Sequence, residues 1–394
     1  MLLQTPYMQQ QPGTSTDFFP LCPQPTQQWS LDWEALQRQF SWLRAMAGVP
    51  QYPAYHAEGD VLIHTHMVTA ALVQHEQWRS LPADERQLLF AAALLHDVGK
   101  PACTKIEPDG MISSRGHARR GEFIARRLLW TAVELDKPVP FAQREYLARL
   151  VRLHGLPLQF LNRANPEKSI TEASQNVRLD HLALLAEADV LGRICTDQAE
   201  LLERVELFRV LSQEQQCYTA PRAFASDYSR FIYLHSEQGY ADYEAYDDTI
   251  FEVVMLAGLP GAGKDSWIQR HYPSWPVVSL DGIRKELKIT ALDNQGHVVQ
   301  LARERAREYM RQGQSFVWNA TNTTHLLRRQ LIDFFISYKA RVHIVYLEAP
   351  YDVIIKRNHE RSASVPVAVI DKLLNKLEIP DITEAHQVDW INNG

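Results

Sequence analysis

The chain has 394 residues, of which 45% are hydrophobic and 22% are charged, and its formal net charge is −6. This length suits two or three domains, and this composition excludes wholesale disorder, collagen-like repeats and a disulfide-dense secreted scaffold. The charge is uneven, since residues from Thr249 onward sum to +2 and the remainder to −8. That distribution excludes a broadly basic nucleic-acid coat and indicates two parts with different functions.

The N-terminal segment, residues 1–28, is rich in Gln, Pro and Thr and is predicted to be a flexible tail. It lacks the basic start and the apolar run of a signal peptide. The longest apolar stretches, such as residues 88–95, are far shorter than the roughly 20 residues that span a bilayer. The four cysteines have no paired short spacing and predict neither a zinc ribbon nor a disulfide framework. A cytoplasmic protein without a membrane partner is therefore expected.

Residues 29–245 are predicted to form a helical domain. Apolar residues recur there at intervals of three and four, and Gly and Pro interrupt the pattern. A polar stretch at residues 239–248, rich in Tyr and Asp, is typical of a linker or a last loop. The domain boundary is accordingly expected near residue 248.

Six side chains of metal-binding types fall on the apolar faces or at the ends of these predicted helices. For any single histidine, the simpler interpretation is a core residue with a hydrogen-bond partner. Burying so many titratable groups without a shared partner would be costly, however, and a divalent metal would supply that partner. His66 lies on a different helix face from His64, so His64 is favoured. The six candidates are His64, His96, Asp97, His117, His154 and Asp189.

From residue 249 to residue 394 the pattern changes to strands that alternate with helices. Strands are predicted at 251–256, 277–279, 315–318 and 342–347, and helices at 264–271, 298–311, 324–338 and 351–359. This alternation predicts βαβ units and an α/β domain with a parallel sheet.

Residues 258–265 read Gly-Leu-Pro-Gly-Ala-Gly-Lys-Asp, between a predicted strand and a predicted helix, which is the context that a P-loop requires. The glycines let backbone N–H groups surround phosphates, and the lysine reaches the β and γ oxygens. An aspartate stands where Ser or Thr normally contacts Mg²⁺, so either that aspartate or the serine after it is the expected metal contact. The predicted ligands are ATP and Mg²⁺, held by Gly258, Gly261, Gly263, Lys264, Asp265 and Ser266.

Two further pairs of residues follow the predicted strands of this domain. Asp281 and Arg284 come directly after the second strand, and Arg357 and Arg361 lie four residues apart after the fourth, on one face of a helix. Phosphoryl transfer needs an oriented hydroxyl, a base and cations around the moving group, which these side chains can supply. The alternatives are a helix N-cap for Asp281 and a solvated helix face for the two arginines.

The first half, over residues 35–235, resembles the HD superfamily of metal-dependent phosphohydrolases. The segments that carry this resemblance are Val61-Leu-Ile-His-Thr-His-Met-Val68, His96-Asp-Val-Gly-Lys-Pro101 and Asp189. The similarity to the HD region of bacterial tRNA nucleotidyltransferases is especially close around His64 and His96. The resemblance implies an all-α fold that hydrolyses phosphomonoesters or phosphodiesters with one or two divalent metals, such as Mn, Ni, Co or Fe.

The same resemblance implies a role for each candidate side chain of this half. One metal would be held by four of them, and the two histidines His117 and His154 correspond to the extra ligands of two-metal members. Lys100 would contact a substrate phosphate, and its alternative is a solvated lysine at a helix end. The four ligands of the first metal would be His64, His96, Asp97 and Asp189.

Residues 250–365 resemble the polynucleotide kinase domain of phage and bacterial RNA-end-healing enzymes. The shared features are the Gly-x-x-Gly-x-Gly-Lys loop, the Asp-x-x-Arg element and the paired arginines. The resemblance implies that Asp281 is the general base for a 5′-OH, that Arg284 lies beside the acceptor phosphate, and that Arg357 and Arg361 cover the ATP phosphates. Asn319 stands where many relatives carry a strand-end Asp.

Taken together, the two halves resemble the bacterial bifunctional HD-Pnk family. That resemblance implies hydrolysis of RNA 2′,3′-cyclic phosphate ends, ATP-dependent phosphorylation of 5′-OH ends, and an RNA ligase that acts afterwards. One alternative is an HD nucleotidase or cyclic-nucleotide phosphodiesterase fused to a small-molecule kinase, which the acidic first half favours because nucleic acids attract basic surfaces. Another is a regulatory protein with a nucleotide-sensing P-loop. The sequence leaves open whether the chain is a monomer or a homodimer.

Overall fold

The computed structural model describes residues 18–237, 239–289, 293–360 and 365–392. The chain divides into two compact units, Met1–Ala223 and Phe224–Gly394. The first is helical, and the second is built around a parallel sheet. The predicted fold class, an all-α domain followed by an α/β domain with a parallel sheet, is confirmed. Among the described residues, no helix combines the length and the apolar character needed to cross a bilayer.

Capping side chains mark where several helices of the first unit begin. The Asp60 carboxylate accepts a hydrogen bond from the N–H of Ile63 at 2.9 Å, and Asn165 caps a later helix in the same way. The helices are α1 (Trp33–Gln39), α2 (Ser41–Arg44), α3 (Val61–Gln74), α4 (Glu76–Ser80), α5 (Ala83–Leu95), α6 (Lys100–Cys103), α7 (His117–Trp130), α8 (Phe141–Leu153), α9 (Leu156–Gln159), α10 (Pro166–Ser174), α11 (Leu179–Leu191) and α12 (Gln198–Glu214), with 3₁₀ turns at Pro25–Gln27 and Phe160–Asn162.

Helices α3, α5 and α11 form the centre of the first unit, and each packs against the other two. Most side chains of α5 and α11 are buried, whichever face of the helix they lie on, as expected for central helices. Helices α7 and α8 pack against each other, and α8 also packs against α5. The candidate metal ligands therefore come from the centre of the unit and from the helix pair beside it.

The predicted flexible tail, residues 1–28, is partly packed. Residues 1–17 lie outside the described residues, but Phe18 and Phe19 are buried. Their backbone N–H groups both donate to the Gln87 side-chain oxygen, at 2.9 and 3.1 Å, and Phe19 stacks on Phe40. Because the residues around this aromatic pair are mostly polar, the composition did not indicate that Phe18 and Phe19 pack against the helical core.

A small hairpin interrupts the helical unit. Strands β1 (Lys105–Ile106) and β2 (Ile112–Ser113) pair antiparallel, a feature that the helical pattern did not predict. Each strand has only two residues and neither is buried, so no apolar alternation marks the hairpin in the sequence.

The second unit is built, within its described residues, around a five-stranded parallel sheet. Its elements are α13 (Asp227–His235), β3 (Phe251–Ala257), α14 (Lys264–His271), β4 (Val277–Ser279), α15 (Leu280–Leu287), α16 (Gly296–Arg311), β5 (Phe316–Asn319), α17 (His325–Ile336), β6 (Ala340–Glu348), α18 (Tyr351–Glu360), α19 (Val367–Leu374) and β7 (Gln387–Asn392). The strands lie in the order β4-β5-β3-β6-β7. The four predicted strands are all present, whereas helices α15 and α19 and strand β7 were not predicted.

The division between the two units differs from the boundary expected near residue 248. Helix α13 lies in the second unit, although its sequence continues the helical pattern. The Arg230 guanidinium donates to the backbone oxygen of His386 at 2.8 Å. The ring of Phe231 stacks on the His386 ring, with 3.9 Å between the ring centroids. These contacts, and not local composition, assign the helix to the α/β unit.

Candidate active sites

Three histidines of the first unit are oriented by the backbone of their own helix turns. The Nδ1 atoms of His96, His117 and His154 each lie 2.7 to 2.8 Å from the carbonyl oxygen three residues earlier. Because a carbonyl oxygen can only accept, Nδ1 carries the hydrogen and the neutral ring presents an unprotonated Nε2. This is the arrangement of a histidine prepared to bind a metal through Nε2.

The Nε2 atoms meet in pairs. Those of His64 and His96 lie 3.4 Å apart, and those of His117 and His154 lie 3.3 Å apart. Ligand nitrogens held about 2.1 Å from one metal are separated by similar distances. The pairing therefore suits two neighbouring cation positions.

Two buried aspartates complete the cluster. Asp189 Oδ1 lies 3.1 Å from His64 Nε2. Asp97 faces both histidine pairs, since its Oδ2 is 3.2 Å from His96 Nε2 and its Oδ1 is 3.4 Å from His117 Nε2. The ligand atoms fall into two groups, each within 4.8 Å, namely His64, His96 and Asp189, and then Asp97, His117 and His154. All six predicted ligands thus come together in one place.

The cluster fits a divalent metal on its own chemistry. Asp97 Oδ1 is buried and accepts no hydrogen bond from any described residue, although a buried carboxylate oxygen normally has a partner. Imidazole nitrogens and carboxylate oxygens are the ligands of Zn, Mn, Fe, Co and Ni. A cation between these groups would supply the missing partner.

Electrostatics favour the metal-binding protonation state of Asp97, Asp189 and His154. Burial opposes the charge of His64, but its contacts with Asp189 and Glu58 raise its pKa. Burial alone would raise the pKa of Asp97, but Lys100 and His96 hold it well below its usual value. Burial likewise opposes ionisation of Asp189, and Arg193 and His64 overcome it and lower its pKa. Burial also lowers the pKa of His154, to about 3. The aspartates are therefore ionised and His154 is neutral, as metal binding demands.

Two cations adjoin the aspartates. Lys100 Nζ donates to Asp97 Oδ2 at 2.7 Å and to Gln51 Oε1 at 2.6 Å, and its side chain is only 10% exposed. The alternative of a solvated lysine at a helix end is therefore wrong. Arg193 makes two hydrogen bonds to Asp189, at 3.1 and 2.6 Å. These charges limit the repulsion between the buried carboxylates.

The structure adds a residue that the sequence analysis missed. Glu58, in the loop before α3, has a fully buried side chain. Its Oε1 lies 2.9 Å from His64 Nδ1 and 2.8 Å from His56 Nδ1, and its Oε2 accepts from the N–H of Ile194 at 2.9 Å. Glu58 therefore orients His64 as backbone carbonyls orient the other three histidines. A loop has no periodicity, and the only sequence signal was an acidic residue close to the helix that carries His64.

One glycine permits the close approach that assembles the cluster. A Cβ atom on Gly99, two residues after Asp97, would lie 2.1 Å from the carbonyl oxygen of His117. A side chain therefore has no room there, and the loop after α5 can touch the start of α7. His66, by contrast, lies away from the cluster and stacks on Trp33, with 4.4 Å between ring centroids.

The second candidate site surrounds the loop after β3. Gly258, Gly261 and Gly263 have φ angles of 137°, 87° and 98°, which other residues rarely adopt. A Cβ atom on Gly258 would lie 2.3 Å from the carbonyl oxygen of Leu347. Lys264 begins α14, and its Nζ donates to the carbonyl oxygens of Gly258 and Leu259, both at 2.9 Å. The loop thus has the P-loop conformation predicted from the sequence.

The loop aspartate contacts the neighbouring strand. Asp265 Oδ1 accepts a hydrogen bond of 2.7 Å from the side-chain nitrogen of Asn319, the last residue of β5. Strand β5 lies directly beside β3 in the sheet. The Asp265 and Ser266 residues are both exposed, so either side chain is open to a ligand.

The predicted base and its arginine form an ion pair on α15. Arg284 Nη1 donates to Asp281 Oδ1, and Arg284 Nε donates to Gln295 at 2.7 Å. The alternative of Asp281 as helix N-cap is wrong, because the Ser279 hydroxyl caps α15 through the N–H of Gly282. The Asp281 carboxylate is 69% exposed and open to a substrate.

The predicted arginine pair is only partly within the described residues. Arg357 lies on α18 and is half-buried, and it makes no ion pair with another described residue. Arg361 lies outside the described residues.

Comparisons with known proteins identify the two domain types. Residues 63–191 match the HD domain family, and residues 253–380 match the AAA domain family. The chain therefore joins a helical HD domain, of the phosphohydrolase type, to a P-loop domain of the kinase type.

Relatives match the chain only over part of its length. The multifunctional CCA protein of Methylococcus capsulatus (strain ATCC 33009 / NCIMB 11132 / Bath) is 36% identical over 126 residues, which are 32% of this chain. The chain spans about a quarter of that relative, 26% of its length.

Two crystal structures also match. A protein from Chloroflexus aurantiacus j-10-fl covers 37% of this chain and 86% of its own, with 14% identity and a TM-score of 0.32. A gluconokinase from Sinorhizobium meliloti 1021 covers 36% and 83%, with 15% identity and a TM-score of 0.27.

Proposed function

We propose that this protein is a bifunctional RNA end-healing enzyme of the HD-Pnk type. Its HD domain would hydrolyse 2′,3′-cyclic phosphate ends, and its P-loop domain would transfer the γ-phosphate of ATP to 5′-OH ends. The observation that carries the proposal is the presence in one chain of a buried His/Asp cluster with a lysine at its edge and a P-loop whose sheet also supports an exposed Asp281–Arg284 pair. RNA cleavage by many ribonucleases leaves both of these ends.

In the HD domain, six side chains would bind divalent metals, and Lys100 would contact the negatively charged phosphate of the substrate. The side chains of His64, His96, Asp189, Asp97, His117 and His154 would hold divalent metals, which when bound would lower the pKa of a water molecule and polarise a phosphoryl oxygen. Lys100, already beside Asp97, would exchange part of its contact with that carboxylate for a phosphate oxygen. Glu58 and the backbone carbonyls keep each imidazole aimed at the centre, so little reorganisation is needed when the substrate binds.

In the P-loop domain, the cations would turn from protein oxygens to substrate oxygens. Lys264 now donates to two backbone carbonyls and would move to the β and γ phosphates of ATP. Arg284 now pairs with Asp281 and would move to the acceptor phosphate. The freed Asp281 carboxylate would then accept the proton of the attacking hydroxyl. Arg357 and Arg361 would lie over the ATP phosphates.

Four further expectations belong to this proposal. The metals of the HD domain would be transition metals such as Mn, Ni, Co or Fe, and Mg²⁺ would accompany ATP. A separate RNA ligase would join the healed ends. The enzyme would act in the cytoplasm, which agrees with four cysteines that form no disulfide bond with one another. A 5′-OH RNA end, and not a free nucleoside or sugar, would be the preferred acceptor.

One assay tests the kinase half. The full chain is incubated with γ-labelled ATP and a 5′-OH RNA oligonucleotide, with adenosine and gluconate as competing acceptors. We expect label on the oligonucleotide, its loss in Lys264→Ala and Asp281→Ala, and full retention in Arg305→Ala, which removes an exposed arginine paired with Glu286. Label on the small acceptors alone would reject RNA repair in favour of a small-molecule kinase.

A second assay tests the hydrolase half. RNA with a 2′,3′-cyclic phosphate end is incubated with the protein and with Mn²⁺, Ni²⁺, Co²⁺ or Mg²⁺ in turn. Hydrolysis should disappear in His96→Ala and Asp97→Ala and persist in the matched variant His66→Ala, whose ring stacks on Trp33 outside the cluster. Hydrolysis of cyclic mononucleotides but not of RNA ends would instead support the nucleotidase or messenger-degrading alternative.

A further inference from the structure

In P-loop enzymes, two groups usually contact the Mg²⁺ that accompanies the nucleotide. One is the Ser or Thr hydroxyl directly after the P-loop lysine, and the other is an Asp carboxylate of the Walker B segment. In this chain the residue after Lys264 is Asp265, and the strand beside the P-loop strand ends in Asn319. The loop thus carries the carboxylate, and the strand end carries a neutral amide.

The two side chains are in direct contact. The amide nitrogen of Asn319 donates to Asp265 Oδ1 at 2.7 Å, and Asn319 itself is buried. Because a carboxylate can only accept, the amide nitrogen must face Asp265, which leaves the amide oxygen for another partner. A second carboxylate at Asn319 would stand at hydrogen-bond distance from Asp265, where two like charges oppose ionisation of each other. The residue types at these positions are therefore matched to each other.

The position of Asp265 favours an oxygen ligand for a cation held with phosphates. It lies in the first turn of α14, where the helix dipole stabilises negative charge, directly after the P-loop lysine. Its side chain is exposed, so a cation does not have to displace a packed group. Mg²⁺ prefers one or two carboxylates together with phosphate oxygens and water, and Asp265 offers a single carboxylate.

We propose that Asp265 is the carboxylate that contacts nucleotide-bound Mg²⁺ and that Asn319 is its positioning residue. The usual charged and neutral ligands have thus exchanged places between the P-loop and the strand end. This inference rests on the proposed kinase function only in requiring that the P-loop binds a nucleotide. It does not depend on the acceptor.

The test measures the Mg²⁺ dependence of nucleotide binding by the full chain, with a fluorescent ADP in Mg²⁺ or in EDTA. In the unaltered chain, Mg²⁺ should tighten binding. Asp265→Ser should abolish most of that effect, a loss of 10-fold or more, while binding in EDTA, supported by Lys264, persists. Asn319→Ala should reduce the Mg²⁺ effect by about 10-fold, the usual scale for a residue that orients a metal ligand.

The double variant Asp265→Ser with Asn319→Asp restores the usual arrangement and is the decisive control. It should recover Mg²⁺-dependent binding that Asp265→Ser lacks, a result that misfolding cannot produce. Ser266→Ala, which removes the neighbouring hydroxyl, should leave the Mg²⁺ effect unchanged. The proposal is overturned if Ser266→Ala removes the effect and Asp265→Ser keeps it, or if the double variant binds no better than Asp265→Ser.

The same experiment separates this inference from the proposed function. Failure of the unaltered chain to bind any nucleotide would overturn both. Mg²⁺-dependent binding that follows the pattern above, without phosphorylation of RNA, would support the exchange of ligands and reject RNA as the acceptor.

Discussion

The two candidate sites differ in where their charged side chains lie. In the HD domain the Asp97 carboxylate is 2% exposed and its partner Lys100 is 10% exposed. In the P-loop domain the Asp281 carboxylate is 69% exposed and its partner Arg284 is 23% exposed. Both pairs join a carboxylate to a cation three residues later in the sequence, yet only the first pair is removed from water.

This difference separates two ways of preparing for phosphate chemistry. The HD cluster is assembled by folding, so its charges, hydrogen bonds and histidine orientations are in place before a substrate arrives. In the P-loop domain, Lys264 and Arg284 contact oxygens of the protein itself, and the substrate must displace those contacts. Substitutions in the HD cluster should therefore change stability as well as activity, whereas substitutions in the P-loop site should change activity alone.

The largest expected effect comes from Asp97→Ala. It leaves Lys100 and the facing histidines buried without their carboxylate, and breaking a buried ion pair costs about 3–5 kcal/mol. Cyclic phosphate hydrolysis and metal content should both be lost. Denaturant unfolding of the full chain, with ATP added to identify the transition of the P-loop domain, measures the stability change.

Asp281→Ala is the matched control for that comparison. Its carboxylate is mostly in water, so the free energy of unfolding should change by no more than about 0.5 kcal/mol while RNA phosphorylation is lost. Equal stability losses in the two variants would contradict the distinction between a buried and an exposed site.

The second prediction concerns the residue that orients His64. Glu58→Ala removes the carboxylate that lies 2.9 Å from His64 Nδ1 but removes none of the six predicted ligands. Metal affinity should fall by about 10- to 100-fold, and Glu58→Gln, which keeps an oxygen acceptor, should lose less. Metal titration followed by elemental analysis measures this, with Glu34→Ala, an exposed carboxylate near Arg38, as the control. An unchanged affinity in Glu58→Ala would mean that the carbonyl oxygen of Gly192, 3.3 Å from His64 Nδ1, is enough to orient the ring.

The third prediction concerns a histidine of the P-loop domain that lies between two carboxylates. His343 on β6 has one ring nitrogen 2.8 Å from Asp389 and the other 3.4 Å from Glu252. Burial opposes its charge, but these carboxylates raise its pKa to about 9. A raised pKa stabilises the folded state fully below the unfolded value of about 6.5, and the contribution is lost as the pH rises through about 9.

His343→Gln should therefore destabilise the P-loop domain most near pH 6, by roughly 2 kcal/mol, and have little effect near pH 10. Unfolding curves of both proteins at several pH values test this. A stability difference that does not change between pH 6 and pH 10 would show that the ring acts by packing and not by charge.

The same contrast explains how far the sequence could predict the sites. The six candidate ligands stand on helix faces or at helix ends, where regular spacing makes them visible, and the P-loop is continuous in sequence. Glu58 was missed because its contacts, such as that with the N–H of Ile194, join loops that are distant in sequence. The Asn319–Asp265 contact likewise spans 54 residues, and no local pattern reveals it.

Prediction of the fold from the sequence has the same limit, because contacts between distant residues leave no local pattern. Strands β3 and β6 are buried along almost all of their length and were predicted, whereas β7 is an edge strand whose residues are mostly half-buried and was not. Helix α13 has an ordinary helical pattern, and long-range contacts such as that of Arg230 with His386, 156 residues away, assign it to the second unit. Local patterns thus predict the elements with buried faces, and long-range contacts decide the boundary.

The smallest expected effect tests whether the exposed site depends on its scaffold at all. Ser279 caps α15 through the N–H of Gly282 at 3.2 Å, and α15 carries both Asp281 and Arg284. Removing such a cap costs about 1 kcal/mol, so Ser279→Ala should lower the stability of the P-loop domain only slightly.

The kinetic effect of Ser279→Ala should be confined to the KM for the acceptor. Because the cap orients α15 and not the P-loop, the KM for a 5′-OH RNA end should rise while the KM for ATP stays the same, and Ser279→Thr, which retains a hydroxyl, should behave as the unaltered chain. Thr324→Ala, which removes the equivalent cap from α17, controls for the loss of stability. An equal rise in both KM values would mean that α15 and the P-loop move as one body, and the exposed site would then be as firmly prepared by folding as the buried one.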